Sequence, residues 1–189
     1  MRCEIRLAGT GGQGVILAGL VLAEAGILEG LNVVHTQNYG PEARGGTSIS
    51  DVILSDIEID YPKTRWLDVL IALDQKACDK NLSSLKQEGL VIVDSDTVDK
   101  IFWKKVIRVP ISRKARDKFK DPRVANMLAL GALVPFCSCV SRRSLGAALK
   151  KTMPAGMVQT NYLAFQEGVR LSRQIQSLKF EEIEGIIEV

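Results

Sequence analysis

Residues 9 to 14, Gly-Thr-Gly-Gly-Gln-Gly, constrain this chain more than any other stretch. Ahead of them Cys3 to Ala8 is short, with Ile5 and Leu7 alternating as in a strand. Behind them Val15 to Leu28 is almost unbroken in Val, Ile, Leu, Ala and Gly, long enough for a helix of several turns. Strand, glycine turn and buried helix open a nucleotide-binding βαβ unit. Gly9, Gly11 and Gly14 match G-x-G-x-x-G in register, with Gly12 and Gln13 filling the turn. Glycine reaches positive φ cheaply and, without Cβ, lets another group approach the backbone. The free N–H groups of the helix start favour an anion.

The fingerprint is incomplete. A dinucleotide site wants a carboxylate about 20 residues on, at the end of the second strand, to hold a ribose. The second strand here, Asn32 to Gln37, ends in Val34-His-Thr-Gln-Asn38 with no acid, and there is no Walker lysine. A structural tight turn, or a site for another ligand, fits the turn better than a dinucleotide.

Further along, Asn38 to Thr47 carries three glycines and a proline and reads as a loop, with Arg44 set between small residues where its guanidinium can reach outward. Ser48 to Leu54 and Ile57 to Tyr61 alternate and predict an antiparallel hairpin, so the sheet should be mixed. Leu31 to Gln37 is expected to lie parallel beside the first strand. Leu67 to Leu73, Leu90 to Val93 and Val106 to Val109 read as further strands. Asp74 caps a helix over Gln75 to Gln87 that Gly89 stops. Val124 to Val140 reads as one apolar helix, followed by a short helix from Ser144 to Lys151 and a last one over Met157 to Gln176. The pattern predicts a three-layer α/β/α fold with a mixed, mostly parallel sheet, a Rossmann-like start and C-terminal helices. Residues 1–176 are expected to form a single domain. Residues 177–189 are read as a tail, either a strand or an ordered arm.

Composition narrows the function. A net charge of +3 does not argue for nucleic acid. The apolar run at Val15 is broken by Glu24, so no membrane span is expected, and the N-terminus does not read as a signal peptide; a cytoplasmic location is the resulting expectation. Of the four cysteines only Cys137 and Cys139 are close, and all four read as buried thiols, with no metal site expected. The one histidine, His35, falls inside a strand and reads as structural. Asp94 and Asp96, at a strand end, suit a helix cap or a metal. Residues 112 to 123 hold six cations, Arg113, Lys114, Arg116, Lys118, Lys120 and Arg123, against Asp117 and Asp121. They read as a solvated face, or more sharply as a contact for phosphate or an acidic partner. No catalytic set emerges.

Three stretches together carry a resemblance. Gly9 to Gly14 resembles the G-x-G-G-Q-G signature of the gamma subunit of 2-oxoacid:ferredoxin oxidoreductases. Tyr39-Gly-Pro-Glu-Ala-Arg-Gly-Gly46 resembles that family's second glycine loop, and Asn126-Met-Leu-Ala-Leu-Gly131 its later N-M-x-A-L-G helix. Ile57 to Pro62 and Val91 to Asp96 look most like the 2-oxoglutarate branch. The resemblance implies a complex that oxidatively decarboxylates a 2-oxoacid to an acyl-CoA and reduces ferredoxin. It implies thiamine diphosphate, Mg and iron–sulfur clusters in the alpha, beta and ferredoxin-like delta subunits and none in this chain. The isolated chain is then expected to be inactive, with CoA as co-substrate and Gly9, Gly11, Gly12, Gln13, Gly14 and Arg44 on a CoA path or subunit contact. The basic run of residues 112 to 123 is heavier than that resemblance leads one to expect. The competing readings are a free-standing nucleotide-binding enzyme using the Gly9–Gly14 loop and a plain interaction module.

Overall fold

The structure, a computed structural model, describes residues 1–40 and 46–187, the last eleven of these by backbone alone. Six strands and six helices run in the order β1 (Arg2–Thr10), α1 (Val15–Leu28), β2 (Asn32–Tyr39), β3 (Thr47–Ser55), β4 (Leu67–Ala72), α2 (Gln75–Asn81), β5 (Leu85–Asp94), β6 (Val106–Val109), α3 (Ile111–Asp117), α4 (Ala125–Leu133), α5 (Arg142–Thr152) and α6 (Ala155–Ile187). They build one sheet of order β2-β3-β1-β4-β5-β6. β1, β4, β5 and β6 are parallel, and β3 runs antiparallel to both β1 and β2.

The period of two along the strands divides the core. Ile5, Leu7, Val69, Ile71, Ile92, Ile107 and Val109 face the cluster formed with α1, α3, α4, α5 and α6. Ala8, Leu70, Ala72, Val91 and Val93 face a thinner layer made by Ala77 and Cys78 of α2 with Val98. Three layers of unequal thickness result. The tightest helix pair is α4 on α6, where Gly131 and Gly168 face each other's backbone. A Cβ on Gly131 would lie 2.1 Å from the Phe165 carbonyl oxygen, and one on Gly168 would lie 2.0 Å from that of Leu128. The Gly131 that ends the Asn126 motif therefore answers a packing need. No helix of the described residues is long and apolar enough to cross a membrane.

Several expectations are corrected. β2 is not beside β1. β3 is buried along nearly its whole length and so needs a partner at each edge, and it inserts between them, pairing Arg2↔Ser55 to Thr10↔Thr47 on one side and Asn32↔Ser55 to Tyr39↔Ser48 on the other. The sheet is mixed, as expected, but the hairpin joins β2 to β3. Ile57 to Tyr61 is irregular, with Ile57 and Tyr61 exposed.

Polar bonds pin the chain between Tyr61 and β4. Glu4 accepts from the Arg65 N–H at 2.7 Å. Arg6 donates two parallel bonds of 2.7 Å to Asp51, a third of 2.9 Å to Asn81 and a fourth of 3.1 Å to Thr64. The helix at Gln75 stops at Asn81, and Gly89 lies inside β5, where Lys86 to Gly89 bulge between the pairs Leu67↔Leu85 and Val69↔Leu90. α6 runs past Gln176 through Ile187.

The apolar run from Val124 to Val140 is not one helix either. α4 gives way to a 3-10 turn at Val134–Phe136 that contains Pro135, and Cys137 is already extended. This break changes the meaning of the cysteines. The thiol sulfurs of Cys3, Cys137 and Cys139 all lie within 4.8 Å of one another. Hydrogen bonds from Cys139 and Cys3, reinforced by the backbone N–H groups of Cys139 and Val140, hold the Cys137 thiol far below its usual range. The bonds that Cys3 and Cys139 give to Cys137 raise theirs.

Candidate functional site

The glycine turn sits at the carboxyl end of β1. From there the chain goes to β2 and β3 on one side and returns to β4 on the other, so the turn marks the switch point of the sheet. Gly14 is the N-cap of α1 with φ 72°, a left-handed conformation that favours glycine. A Cβ there would also meet the Asn126 side-chain nitrogen at 2.5 Å. That nitrogen donates to the Gly14 carbonyl at 3.1 Å, across 112 residues. Gly11 N–H donates to the Gly46 carbonyl at 2.8 Å, and Gly40 N–H to Thr47 at 2.7 Å. Gly46, at the entry to β3, is thus held against the turn. Two glycine segments and the Asn126 helix, scattered in sequence, meet at one end of the sheet.

Side chains beside the turn bond to one another across the strand ends. Gln13 folds back so that its Oε1 accepts the Thr10 N–H at 2.7 Å and its Nε2 reaches Leu73 O at 3.5 Å. Thr10 Oγ1 donates at 2.9 Å to Asp74, whose other oxygen caps α2 through the Ala77 N–H at 2.8 Å. Gly12, in contrast, is exposed with open space around it. Lys80 Nζ reaches Thr47 Oγ1 at 3.5 Å on the same rim, and Tyr39 is 69% exposed. A dinucleotide would need both the crevice and an acid on the strand next to β1. The neighbour on that side is the antiparallel β3, which offers no such acid at its end by the turn. Sequence reasoning found the glycines but missed Thr10 and Lys80, whose partners are 64 and 33 residues away. Arg44 lies outside the described residues.

The remaining candidates are elsewhere. His35 pairs with Ser50 Oγ at 2.8 Å on β2, and burial lowers its pKa against an opposing pull from Asp51, as fits a structural histidine. Asp94 is fully buried and accepts from the N–H groups of Ile111 and Ser112 at 3.0 Å, and Asp96 accepts from Arg113 N–H at 2.9 Å, so the pair caps α3. In the basic stretch Lys118 bonds the buried Glu167 at 2.8 Å and Arg123 bonds Asp121 at 2.8 Å. Arg116 lies 3.2 Å from Asp117, and Arg113 3.8 Å from Asp96. Asp117 and Asp121 belong to the stretch itself, so only Lys118 and Arg113 draw on acids outside it.

A three-layer α/β fold that joins two glycine segments and the Asn126 helix at its switch point is a distinctive arrangement. The comparison with known proteins makes this specific: residues 4–171 match the pyruvate ferredoxin/flavodoxin oxidoreductase family, and the chain belongs to it. It is 42% identical over 180 residues to the 2-oxoglutarate synthase subunit KorC of Methanocaldococcus jannaschii, covering 93% of this chain and 96% of that one. Among solved structures it is similar to the gamma subunit of a keto/oxoacid ferredoxin oxidoreductase from Geobacter sulfurreducens PCA, at 40% identity and TM-score 0.81, over 91% of this chain and 99% of that one. A 2-oxoglutarate:ferredoxin oxidoreductase from Magnetococcus marinus, solved with 2-oxoglutarate, coenzyme A and succinyl-CoA bound, is 26% identical at TM-score 0.81. The match covers 92% of this chain and 31% of that one.

Proposed function

We propose that this chain is the non-catalytic gamma subunit of a cytoplasmic 2-oxoacid:ferredoxin oxidoreductase acting on 2-oxoglutarate. The complex decarboxylates the oxoacid oxidatively, forms the acyl-CoA and reduces ferredoxin. Thiamine diphosphate and Mg belong to its alpha and beta subunits and iron–sulfur clusters to the delta subunit. Residues 1–176 act as one domain whose glycine end, with Gly9 to Gly14 and the connection through Arg44, faces the partner subunits and the CoA path. The observation that carries this reading is the convergence of three distant motifs at one rim through Gly11 N–H to Gly46 O and Asn126 to Gly14 O. Exposed Tyr39 and the planar fork of Arg44 suit a contact there.

The test is Arg44→Ala and Arg44→Lys in the complex reconstituted from all its subunits. The isolated variants should keep their stability within about 0.5 kcal/mol, as surface changes do. Arg44→Ala should weaken assembly or raise the KM for CoA, and Arg44→Lys should restore only part of it, because charge survives but bidentate geometry does not. Assembly and CoA kinetics at wild-type values would refute the assignment of this rim. Turnover of a 2-oxoacid by the purified chain alone would refute the non-catalytic role.

A further inference from the structure

The amino end of the sheet carries a second constellation that the subunit reading does not use. Cys3 lies on β1 one residue in from its start, buried at 8% exposure, while Cys137 and Cys139 come from the irregular segment after the 3-10 turn. The backbone at Cys137 is extended, so the side chains at 137 and 139 point inward and Ser138 points out to solvent. Three sulfurs from two distant segments thereby converge within 4.8 Å, and all three are free thiols. A cleft of about 450 Å³ opens beside them, walled by Val69, Leu90 and Phe136.

We propose that Cys3, Cys137 and Cys139 form a binding site for one thiophilic d10 cation, Zn2+. Three thiolates are a soft donor set, the kind that selects zinc over magnesium or calcium. At a Zn–S distance of about 2.3 Å, tetrahedral sulfurs sit roughly 3.8 Å apart, so sulfurs already within 4.8 Å need only small side-chain rotations to close on the ion. The fourth position faces the cleft, which supplies both an entry path and a water ligand. Binding releases the thiol protons to solvent and leaves a site of net charge −1. Each carboxylate near the cleft already has a cation, Glu4 with Arg2, Glu88 with Lys105 and Asp68 with Lys86, so the wall adds no unpaired negative charge beside the site. The ion would tie the start of β1 to the segment that links α4 to α5. A Cys137–Cys139 disulfide fits the arrangement less well. Residues two apart in an extended chain hold their Cα atoms near the outer limit for a disulfide of about 6.8 Å, and such a bond would leave Cys3 without its cluster.

The test uses the full chain, stripped of metal and kept reduced without air, and titrated with Co2+ as an optical probe and then with Zn2+. The expected result is one equivalent of Co2+ with the thiolate-to-cobalt charge-transfer band and the visible bands of a tetrahedral ion, displaced by one equivalent of Zn2+. X-ray absorption of the zinc form should show about three sulfurs at about 2.3 Å. Cys137→Ser and Cys139→Ser should each weaken Zn2+ binding at least about 100-fold in chelator competition. Cys139→Ser, at the edge of the cleft, serves if Cys3→Ser fails to fold. Cys78→Ala, on the opposite face of the sheet, should bind as the parent does. Absence of the charge-transfer band, affinity unchanged in Cys139→Ser, or a Cys137–Cys139 disulfide in the air-free protein would overturn the site. None of these outcomes bears on the gamma-subunit reading, which rests on the other end of the sheet.

Discussion

The two ends of β1 are built on different principles. At the carboxyl end the backbone is the main partner: Gly11 bonds Gly46, Asn126 serves the Gly14 carbonyl and Gln13 reaches the Leu73 carbonyl, with Thr10 on Asp74 the side-chain pair beside them. About 23 Å away along β1, at ~3.3 Å per residue, the amino end places Cys3 against Cys137 and Cys139. The first end is constrained most at Gly14, where a left-handed backbone and the Asn126 side chain leave no room for a Cβ, whereas a Cβ on Gly11 would make ordinary contact. The second gathers three side chains, helped by the backbone N–H groups of Cys139 and Val140, and can alter its chemistry without moving the sheet. An assembly rim and an accessory site can therefore share one strand.

The largest effect is expected at the rigid end. Gly14→Val combines a left-handed backbone with a Cβ 2.5 Å from Asn126 and should cost about 3 kcal/mol, lowering Tm by roughly 6–12 °C for a domain of this size. An unchanged melting temperature would show that the turn can relax. Next comes Asn126→Ala, which removes the long-range donor to the Gly14 carbonyl, leaves it only the Ala18 N–H of α1, and should cost about 1 kcal/mol by denaturant unfolding. If it costs nothing, the link between the first and third motifs is incidental.

The scaffold behind both ends should respond to acid. Arg170 first and Lys118 second hold the Glu167 carboxyl down at about 2. Its stabilisation is present above the unfolded value of about 4.3 and is lost as pH falls from there through about 2. Glu167→Gln should flatten that limb of the stability–pH curve, and an identical limb in the variant would contradict it. The smallest effect is expected at the cysteine end without metal, where Cys139→Ser should shift stability by less than about 1 kcal/mol. A larger loss would mean that the thiols hold the fold rather than wait for an ion.

Legibility in the sequence divides along the same line. Val15–Leu28 and Val106–Val109 are readable to the residue because a mainly apolar run, interrupted only by Glu24 or Arg108, between a glycine turn or proline and polar flanks has few alternatives. The glycine motifs announce the rim for the same reason. Strand order is not readable: Ile57 to Tyr61 alternates as well as a real strand does, and only the need of β3 for two partners decides the hairpin. The bulge at Gly89 looks like a helix stop because glycine serves both. The cysteine cluster is hidden behind the apolar run around Pro135, and residues 3 and 137 have no local signal that joins them.

Hydrogen exchange measured on the chain alone and in the reconstituted complex asks most directly which end faces the partners. Residues 9–14 and 38–47 should gain strong protection on assembly, and the segment around Cys137 to Val140 should exchange at the same rate in both. Protection confined to the cysteine cleft, with the glycine rim unchanged, would contradict the central assignment.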